Sequence, residues 1–256
     1  RGLGDVYKRQ MVDTMVVGQV AGVEALAALG AVDFLMWVVT GISTGLTQGF
    51  SIQLSQYYGA KDFENLRKSL AHSYRLTAFI AAGVLILSQS FASLVLTGLH
   101  TPSNIIGMSL LYLRIIFCGI PATAAYNMFA SALRAMGNSK TPLTAMIIAS
   151  VLNVSLDILF VAGFGWGVAG AAIATVIAQS FSAVYCFLIL RRIDIVHLTR
   201  ADFMPASGMN ARLMKLGIPV VFQNIIIGVG GLVVQYVING YGFLFVAGFT
   251  ATNKLY

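Results

Sequence analysis

Long apolar runs, separated by short polar or glycine-rich turns, dominate this chain and predict a succession of membrane-spanning helices. A helix needs about 20 apolar residues to cross the hydrocarbon core of a bilayer, and most of these runs are long enough. We number the predicted spans in chain order. They are an incomplete span 1 ending near residue 18, followed by spans at about 25–58, 66–99, 105–133, 142–161, 167–190 and 216–238, and span 8 from about 244 onward. Pro121 is expected to kink span 4.

The basic residues lie at alternate ends of these spans. The loops after spans 1, 3, 5 and 7 contain no lysine or arginine, whereas the loops after spans 2, 4 and 6 hold Lys61, Arg67, Lys68, Arg134, Lys140, Arg191, Arg192, Arg200, Arg212 and Lys215. Because cytoplasmic loops carry the excess of lysine and arginine, the loops after even-numbered spans are predicted to be cytoplasmic. The net charge of +7 therefore indicates membrane topology and not a nucleic-acid partner.

Composition supports the same class of protein. Of the 256 residues, 58% are hydrophobic and only 10% are charged, against roughly 25% charged in soluble domains. We therefore predict an all-α, multi-pass protein of the cytoplasmic (inner) membrane, with the lipid bilayer as its surroundings. Cys118 and Cys186 lie in separate apolar runs and are expected to be packing thiols without a disulfide. Neither metal-ligand spacing nor catalytic-triad spacing is found among His72, His100 and His197. We therefore expect that the protein is not an enzyme and binds no cofactor.

Four segments are predicted along the chain. Residues 1–10 are expected to be a non-native or truncated tail, because they are charged and lack an initiating Met. An N-terminal lobe of spans 1–6 covers 11–190, a cytoplasmic linker covers 191–215, and a second lobe begins at 216–256. The second lobe is suggested by the likeness of Leu26-Ala-Ala-Leu-Gly-Ala31 to Val246-Ala-Gly-Phe-Thr-Ala251, for which chance similarity between apolar segments is the alternative. In span 2, Gly41, Gly45 and Gly49 repeat every fourth residue and predict a close-packing helix face.

Polar side chains of different spans are predicted to share one depth in the outer half of the membrane. Asp13 lies about eight residues below the outer end of span 1, and Asp157 about six below that of span 5, or roughly 12 and 9 Å. Tyr112 and Thr175 lie roughly 10–12 Å deep in spans 4 and 6. Asn153 precedes Asp157 by one helical turn and shares its face. A carboxylate in hydrocarbon is costly, so Asp157 is expected to face the interior of a bundle and to be functional.

Two kinds of chemistry fit these groups. As a cage of oxygen atoms, they suit a hard monovalent cation such as Na⁺. As a desolvated pair of carboxylates, Asp13 and Asp157 would instead hold a proton. Either ion cancels a buried negative charge, so either could be exchanged for a cationic substrate. The residues leave the choice between H⁺ and Na⁺ open.

The chain also resembles the multidrug and toxic compound extrusion (MATE) family from Met11 to its end. The resemblance is carried by Met11-Val-Asp-Thr-Met-Val-Val-Gly18, Leu26-Ala-Ala-Leu-Gly30, Gln56-Tyr-Tyr-Gly-Ala-Lys-Asp62, Tyr112-Leu-Arg-Ile115, Leu133-Arg-Ala-Met-Gly-Asn-Ser-Lys-Thr-Pro142 and Gly167-Val-Ala-Gly-Ala-Ala-Ile-Ala-Thr175. It implies twelve helices in two six-helix lobes around a cavity, and export of organic cations in exchange for H⁺ or Na⁺. It also implies that the full-length protein is a monomer with a small cationic substrate.

The resemblance assigns roles to the same polar cluster. It implies that Asp13 is the acid of the cation site, that Asn153, Asp157 and Thr175 are its partners, and that Tyr112 hydrogen-bonds nearby. A bound Na⁺ would be held by Asp13, Asn153, Asp157 and Thr175. The chain departs from the family because spans 9–12 are absent and no acid lies between residues 220 and 241. We therefore expect a fragment that cannot transport alone.

The sequence leaves two alternative functions to consider. A lipid-linked oligosaccharide flippase of the same superfamily would be expected to carry a strongly basic central cavity. Arg114 is the only base deep in the predicted spans, which argues against that function. An integral-membrane enzyme would require a reactive constellation, and the sequence contains none that we recognise.

Overall fold

The computed structural model describes residues 18–253 except positions 205 and 207, and the described part is helical without strands. Its helices are α1 (Val23–Gly30), α2 (Asp33–Gly59), α3 (Phe63–Gly98), α4 (Ile106–Cys118), α5 (Ile120–Ala135), α6 (Lys140–Asp157), α7 (Gly167–Leu190), α8 (Met209–Asn239) and α9 (Phe243–Asn253). A π-helical turn, Ile158–Gly163, continues α6, and two short 3₁₀ turns, Asp194–Val196 and Arg200–Phe203, lie between α7 and α8.

The prediction of an all-α membrane protein is confirmed. Five helical segments of the described chain are long and apolar enough to cross a bilayer, and α4 with α5 makes a sixth if that bent pair is one span. These six segments correspond to predicted spans 2–7, with α1 and α2 together forming span 2. Predicted span 1 ends at the edge of the described residues, and α9 is the described beginning of span 8.

Span 4 bends where its sequence predicts. The axes of α4 and α5 differ by 47° across Gly119, and Pro121 occupies the first turn of α5, where its missing N–H costs nothing. Gly119 lies so close to α7 that an added Cβ would stand 2.7 Å from a methyl of Val176. The bend therefore combines a proline with a tight contact between helices.

The prediction that span 5 is an α-helix to Val161 is wrong in detail. The α-helix ends at Asp157, and the next six residues form the π-helical turn. An added Cβ on Gly170 of α7 would stand 3.0 Å from Cβ of Phe160 in this turn. The ring of Phe160 in turn stacks on that of Trp166, with centroids 5.2 Å apart. Packing of the turn against α7 and Trp166 accompanies the change of helix type.

Span 7 begins earlier than predicted, which shortens the irregular part of the 191–215 linker. Helix α8 begins at Met209, directly after Gly208, which has a left-handed φ of 75°. Met209 and Leu213 are buried, whereas Arg212 and Lys215 are exposed. The first turns of α8 are therefore amphipathic, and the basic residues that suggested a loop lie on its polar face. The division into lobes stays a prediction.

The glycine face of α2 packs on α8, as the spacing predicts. An added Cβ on Gly41 would stand 3.2 Å from Cβ of Asn224, and one on Gly45 would stand 2.9 Å from Cα of Val221. Gly49 lies directly against Gly217. The two helix backbones therefore approach closely over about two turns, as small residues allow between membrane helices.

Buried side chains form two larger clusters at opposite ends of the helices. The cluster at the end predicted to face outward includes Leu29, Leu96, Leu113, Phe117, Val161 and Val168. The cluster at the end predicted to be cytoplasmic includes Phe50, Leu54, Leu66, Leu70, Leu133, Leu190 and Leu213. Among the residues predicted to form the site, Tyr112 lies in α4, Asn153 and Asp157 lie in α6, and Thr175 lies in α7.

Candidate functional site

The amide and carboxylate of α6 are both removed from solvent. Asn153 is 3% exposed and Asp157 is fully buried. Nδ2 of Asn153 donates a hydrogen bond of 3.4 Å to Oδ2 of Asp157. This contact follows from the four-residue spacing, which places the two side chains one above the other on one helix face. A buried acid inside a membrane-spanning helix is costly, so its position requires a compensating group.

Asp157 is the last residue of regular α-helix before the π-helical turn. The hydrogen-bond pattern changes there from i→i+4 toward i→i+5, which rotates the following residues relative to a continuous α-helix. Phe164 N–H donates to the carbonyl oxygen of Leu159 at 2.9 Å as the turn closes. Such π turns occur often at functional sites in helices, and this one adjoins the buried acid.

Tyr112 lies on α4 and Thr175 on α7, and α7 packs against both α4 and α6. Tyr112 of α4 is 9% exposed and belongs to the same buried cluster as Val161 and Ala171. Val161 is one turn beyond Asp157, and Ala171 is one turn before Thr175. The structure therefore brings neighbouring turns of α4, α6 with its π turn, and α7 into one cluster.

The hydroxyl of Thr175 is oriented by its own helix. Oγ1 of Thr175 donates to the carbonyl oxygen of Ala171 at 3.0 Å, and the residue is half-buried. Because a hydroxyl has one proton and two lone pairs, the oxygen can still accept a hydrogen bond or ligate a cation. This geometry is compatible with the predicted role of Thr175, which stays a prediction.

Asp13 lies outside the described residues. Its predicted pairing with Asp157, and the four-residue Na⁺ site that includes both acids, therefore stay predictions. Within the described part of the chain, no group of three or more His, Cys, Asp or Glu residues could hold a metal ion.

A second buried polar pair was missed by sequence reasoning. Gln235 and Asn239 of α8 are 1% and 3% exposed, and Nε2 of Gln235 donates to Oδ1 of Asn239 at 2.8 Å. Asn239 Nδ2 donates in turn to the carbonyl oxygen of Leu99 at 2.8 Å. The signal was present, because Gln235 and Asn239 have the same four-residue spacing as Asn153 and Asp157. The pair contains no acid, and uncharged amides are a weaker signal than a carboxylate in an apolar run.

The segment between α7 and α8 is also held by polar contacts that the sequence did not reveal. Nε2 of the buried His72 lies 3.1 Å from the carbonyl oxygen of Met204, and its Nδ1 lies 2.7 Å from Oδ1 of Asn210. Arg67 Nε lies 3.8 Å from Oδ1 of Asp202. The N-terminal part of α3, predicted to be cytoplasmic, therefore contacts both the linker and the first turn of α8.

Comparisons with known proteins agree with this architecture. The MatE family model matches residues 6–159. Probable multidrug resistance protein YpnP of Bacillus subtilis is 31% identical over 246 residues, which cover 96% of this chain and 55% of the relative. Multidrug export protein MepA of Staphylococcus aureus is 24% identical over 85% of this chain and 49% of its own length. The chain thus spans about half the length of the curated relatives it matches.

Solved structures show the same fold. An inward-facing multidrug resistance MATE family transporter of the MOP superfamily superposes with a TM-score of 0.89 at 23% identity, covering 96% of this chain and 57% of that one. A MATE structure in the bent conformation gives a TM-score of 0.81 at 21% identity, covering 100% of this chain and 62% of that one. The family match, the relatives and the fold agree, and the chain belongs to the multidrug and toxic compound extrusion (MatE) family.

Proposed function

We propose that the full-length protein is a cation-coupled antiporter of the cytoplasmic membrane that exports organic cations by alternating access. The observation that carries this proposal is the fully buried carboxylate of Asp157, paired with Asn153 at an α-to-π junction inside a membrane-spanning helix. The names of the relatives, multidrug resistance and multidrug export proteins, support a drug-like substrate.

Exchange follows from the electrostatics of a buried acid. A carboxylate at this depth is stabilised by a proton, a Na⁺ ion or a cationic substrate, and each of these occupants neutralises the same charge. Occupation by the coupling ion therefore disfavours occupation by the substrate. In the proposed cycle the ion enters from outside and releases the substrate there, and the emptied cavity then turns toward the cytoplasm. A membrane potential assists inward ion movement by about 2.3 kcal/mol per charge per 100 mV.

Asp13 is proposed as the second acid of the site, with Tyr112 donating a hydrogen bond nearby. If the coupling ion is Na⁺, carboxylate oxygens of Asp13 and Asp157, the amide oxygen of Asn153 and the hydroxyl of Thr175 supply its ligands. If it is H⁺, the two carboxylates share the proton, and Asn153 and Tyr112 orient them. The two versions differ in their dependence on external Na⁺, which an experiment can measure.

Contacts on the outer side fit a state in which the cavity is closed to the outside. Gly30 of α1 lies directly against Thr250 of α9, and Asn239 of α8 bonds to the carbonyl of Leu99. These contacts join the predicted first lobe to the beginning of the predicted second lobe. The resemblance to a transporter solved facing inward supports the same interpretation.

The flippase alternative is less well supported. Its expected basic cavity would need deep cationic side chains facing the interior, and Arg114 was the candidate. Arg114 is exposed on α4, whereas Tyr112 on the same helix is buried. The two residues lie about 200° apart around the helix, so Arg114 points away from the proposed site. An antiporter with an acidic site is the better fit.

The test uses the full-length protein in vesicles, with efflux of a fluorescent cation as the signal. Asp157→Asn is expected to abolish ion-driven efflux, because the amide cannot exchange an ion. Ser155→Ala is the matched control, since Ser155 is an exposed residue of the same helix, and it should export at the parent rate. Replacing Na⁺ by choline, and separately collapsing the pH gradient, identifies the coupling ion. Normal export by Asp157→Asn in correctly inserted protein would overturn the proposal.

A further inference from the structure

A groove between α3 and α4 carries a cation on the membrane-facing surface. It has a volume of about 660 Å³, and its walls include Leu85 and Ile86 of α3 and Arg114, Ile115 and Cys118 of α4. Nε2 of Gln89 donates to the carbonyl oxygen of Arg114 at 2.8 Å and contacts Sγ of Cys118 at 3.3 Å. These contacts tie the two helices together along the groove.

The surface around this groove is apolar and exposed. Helix α3 has large exposed side chains, namely Phe79, Ile86, Leu87, Phe91 and Leu94. The most apolar stretch of α3 has a mean hydropathy of 2.1, yet only 22% of its residues are buried. An apolar helix that the protein leaves uncovered is covered by lipid acyl chains in a membrane. The groove therefore opens toward lipid.

The guanidinium of Arg114 lacks a partner in the described part of the chain. Arg114 is exposed, and its guanidinium makes no hydrogen bond or ion pair with the described residues. Arg75 of α3, by contrast, lies toward the cytoplasmic end of its helix and donates to the carbonyl of Phe203 at 3.5 Å. A cation in the hydrocarbon region has a high free energy unless a counter-charge lies near it. Arg114 therefore requires an anion from its surroundings.

The depth and direction of Arg114 match the outer headgroup layer. It lies eight residues after Ile106, the first residue of α4, or about 12 Å along the helix. Together α4 and α5 exceed the roughly 20 residues that cross the hydrocarbon core, so the first turn of α4 extends into the headgroups. Side chains on a helix tilt toward its N-terminus, which is the outer end of α4 in the predicted topology. Arg114 can therefore snorkel to the level of the lipid phosphates.

We propose that this groove binds an anionic phospholipid of the outer leaflet, with Arg114 holding the phosphate and the groove walls of α3 and α4 holding an acyl chain. The charge of the guanidinium and the apolar walls select an anionic lipid over a zwitterionic one. A basic residue near anionic headgroups contributes enough to favour phosphatidylglycerol over phosphatidylcholine about fivefold. The site lies outside the proposed transport cavity, because Arg114 points away from Tyr112, and it does not depend on the proposed function.

The test measures which lipid lies beside the groove in the full-length protein. A tryptophan is introduced by Leu111→Trp, one turn from Arg114 on the same exposed face, in a background free of other tryptophans. Brominated phosphatidylglycerol or brominated phosphatidylcholine, at equal mole fraction in vesicles, quenches its fluorescence. We expect phosphatidylglycerol to quench more strongly, with an apparent preference of about fivefold that weakens as salt is raised.

Substitutions of Arg114 test whether the lipid preference depends on its positive charge. Arg114→Gln should remove the preference, Arg114→Lys should retain much of it, and Arg192→Gln, an exposed arginine at the cytoplasmic end, should leave it unchanged. Equal quenching by both lipids in the reporter protein overturns the proposal, and so does a preference that survives Arg114→Gln. Loss of the preference in excess inorganic phosphate would also overturn it, because the site would then bind phosphate and not lipid. If Arg114→Gln does not fold, the comparison of the two lipids with the reporter protein still decides.

Discussion

The side chain of Asn239 donates a hydrogen bond of 2.8 Å to the carbonyl oxygen of Leu99, 140 residues earlier in the chain. Both partners lie at the outer side in the predicted topology, at the end of α8 and directly after α3. Gln235 donates to Oδ1 of Asn239, so the amide of Asn239 is fixed at both of its ends. The bond therefore connects the predicted lobes on the side that opens in the proposed transport cycle.

Asn239→Ala is expected to favour the outward-open state. Removing the amide leaves the carbonyl of Leu99 and the donor of Gln235 without this partner, at a cost of about 1–3 kcal/mol in the closed state. Spin labels on α1 and α9 of the full-length protein would report a larger fraction of long distances. Gln223→Ala, an exposed amide on the same helix, should leave the distance distribution unchanged. An unaltered distribution in Asn239→Ala would show that this bond does not hold the outer side closed.

The glycine face of α2 predicts a second effect of substitution. Gly45→Ala should destabilise the full-length protein by about 1–3 kcal/mol, because the new methyl would stand 2.9 Å from the backbone of Val221. Gly83→Ala on α3 is the control, since no atom lies within 4 Å of the added Cβ there. It should stabilise by up to about 1 kcal/mol through helix propensity. Thermal unfolding in detergent measures both, and equal behaviour of the two variants would contradict close packing of α2 on α8.

His72 is expected to hold the linker to the first lobe. Substituting Ala would leave the carbonyl of Met204 and the side chain of Asn210 without their partner, at about 1–3 kcal/mol. Hydrogen exchange of the 191–208 segment and the first turn of α8 should accelerate in His72→Ala. His197→Ala, which removes an exposed imidazole from the linker itself, should have little effect. Equal exchange in the two variants would indicate that the linker is held by apolar packing alone.

The spans were predictable because their length and apolar composition are properties of local sequence. The bend near Pro121 and the glycine face of α2 were likewise predictable from residue type and spacing. The π-helical turn after Asp157 was not, since its sequence is apolar and continuous with α6, and the turn packs on Gly170 of α7. The early start of α8 was hidden because Arg212 and Lys215 lie on its exposed face.

The candidate site, too, could be predicted from local sequence only in part. The four-residue spacing of Asn153 and Asp157 sufficed to predict their contact, and burial of Asp157 follows from its place in an apolar span. The amide pair of α8 could have been found by the same spacing. Its bond to Leu99 could not, because that contact depends on how α8 packs against distant parts of the chain. Asp13 lies outside the described residues, so its distance from Asp157 stays a prediction.

In the proposed exchange, the carboxylate of Asp157 serves the coupling ion and the substrate in turn. The direct measurement is the affinity of the full-length protein for a fluorescent organic cation, titrated at several proton and Na⁺ concentrations. The apparent Kd of the parent protein for the organic cation should rise with the concentration of the coupling ion. The apparent Kd of Asp157→Asn should be higher than that of the parent and should not change with the concentration of the ion. A substrate affinity that does not respond to either ion in the parent, or that responds equally in Asp157→Asn, would contradict the proposed exchange at Asp157.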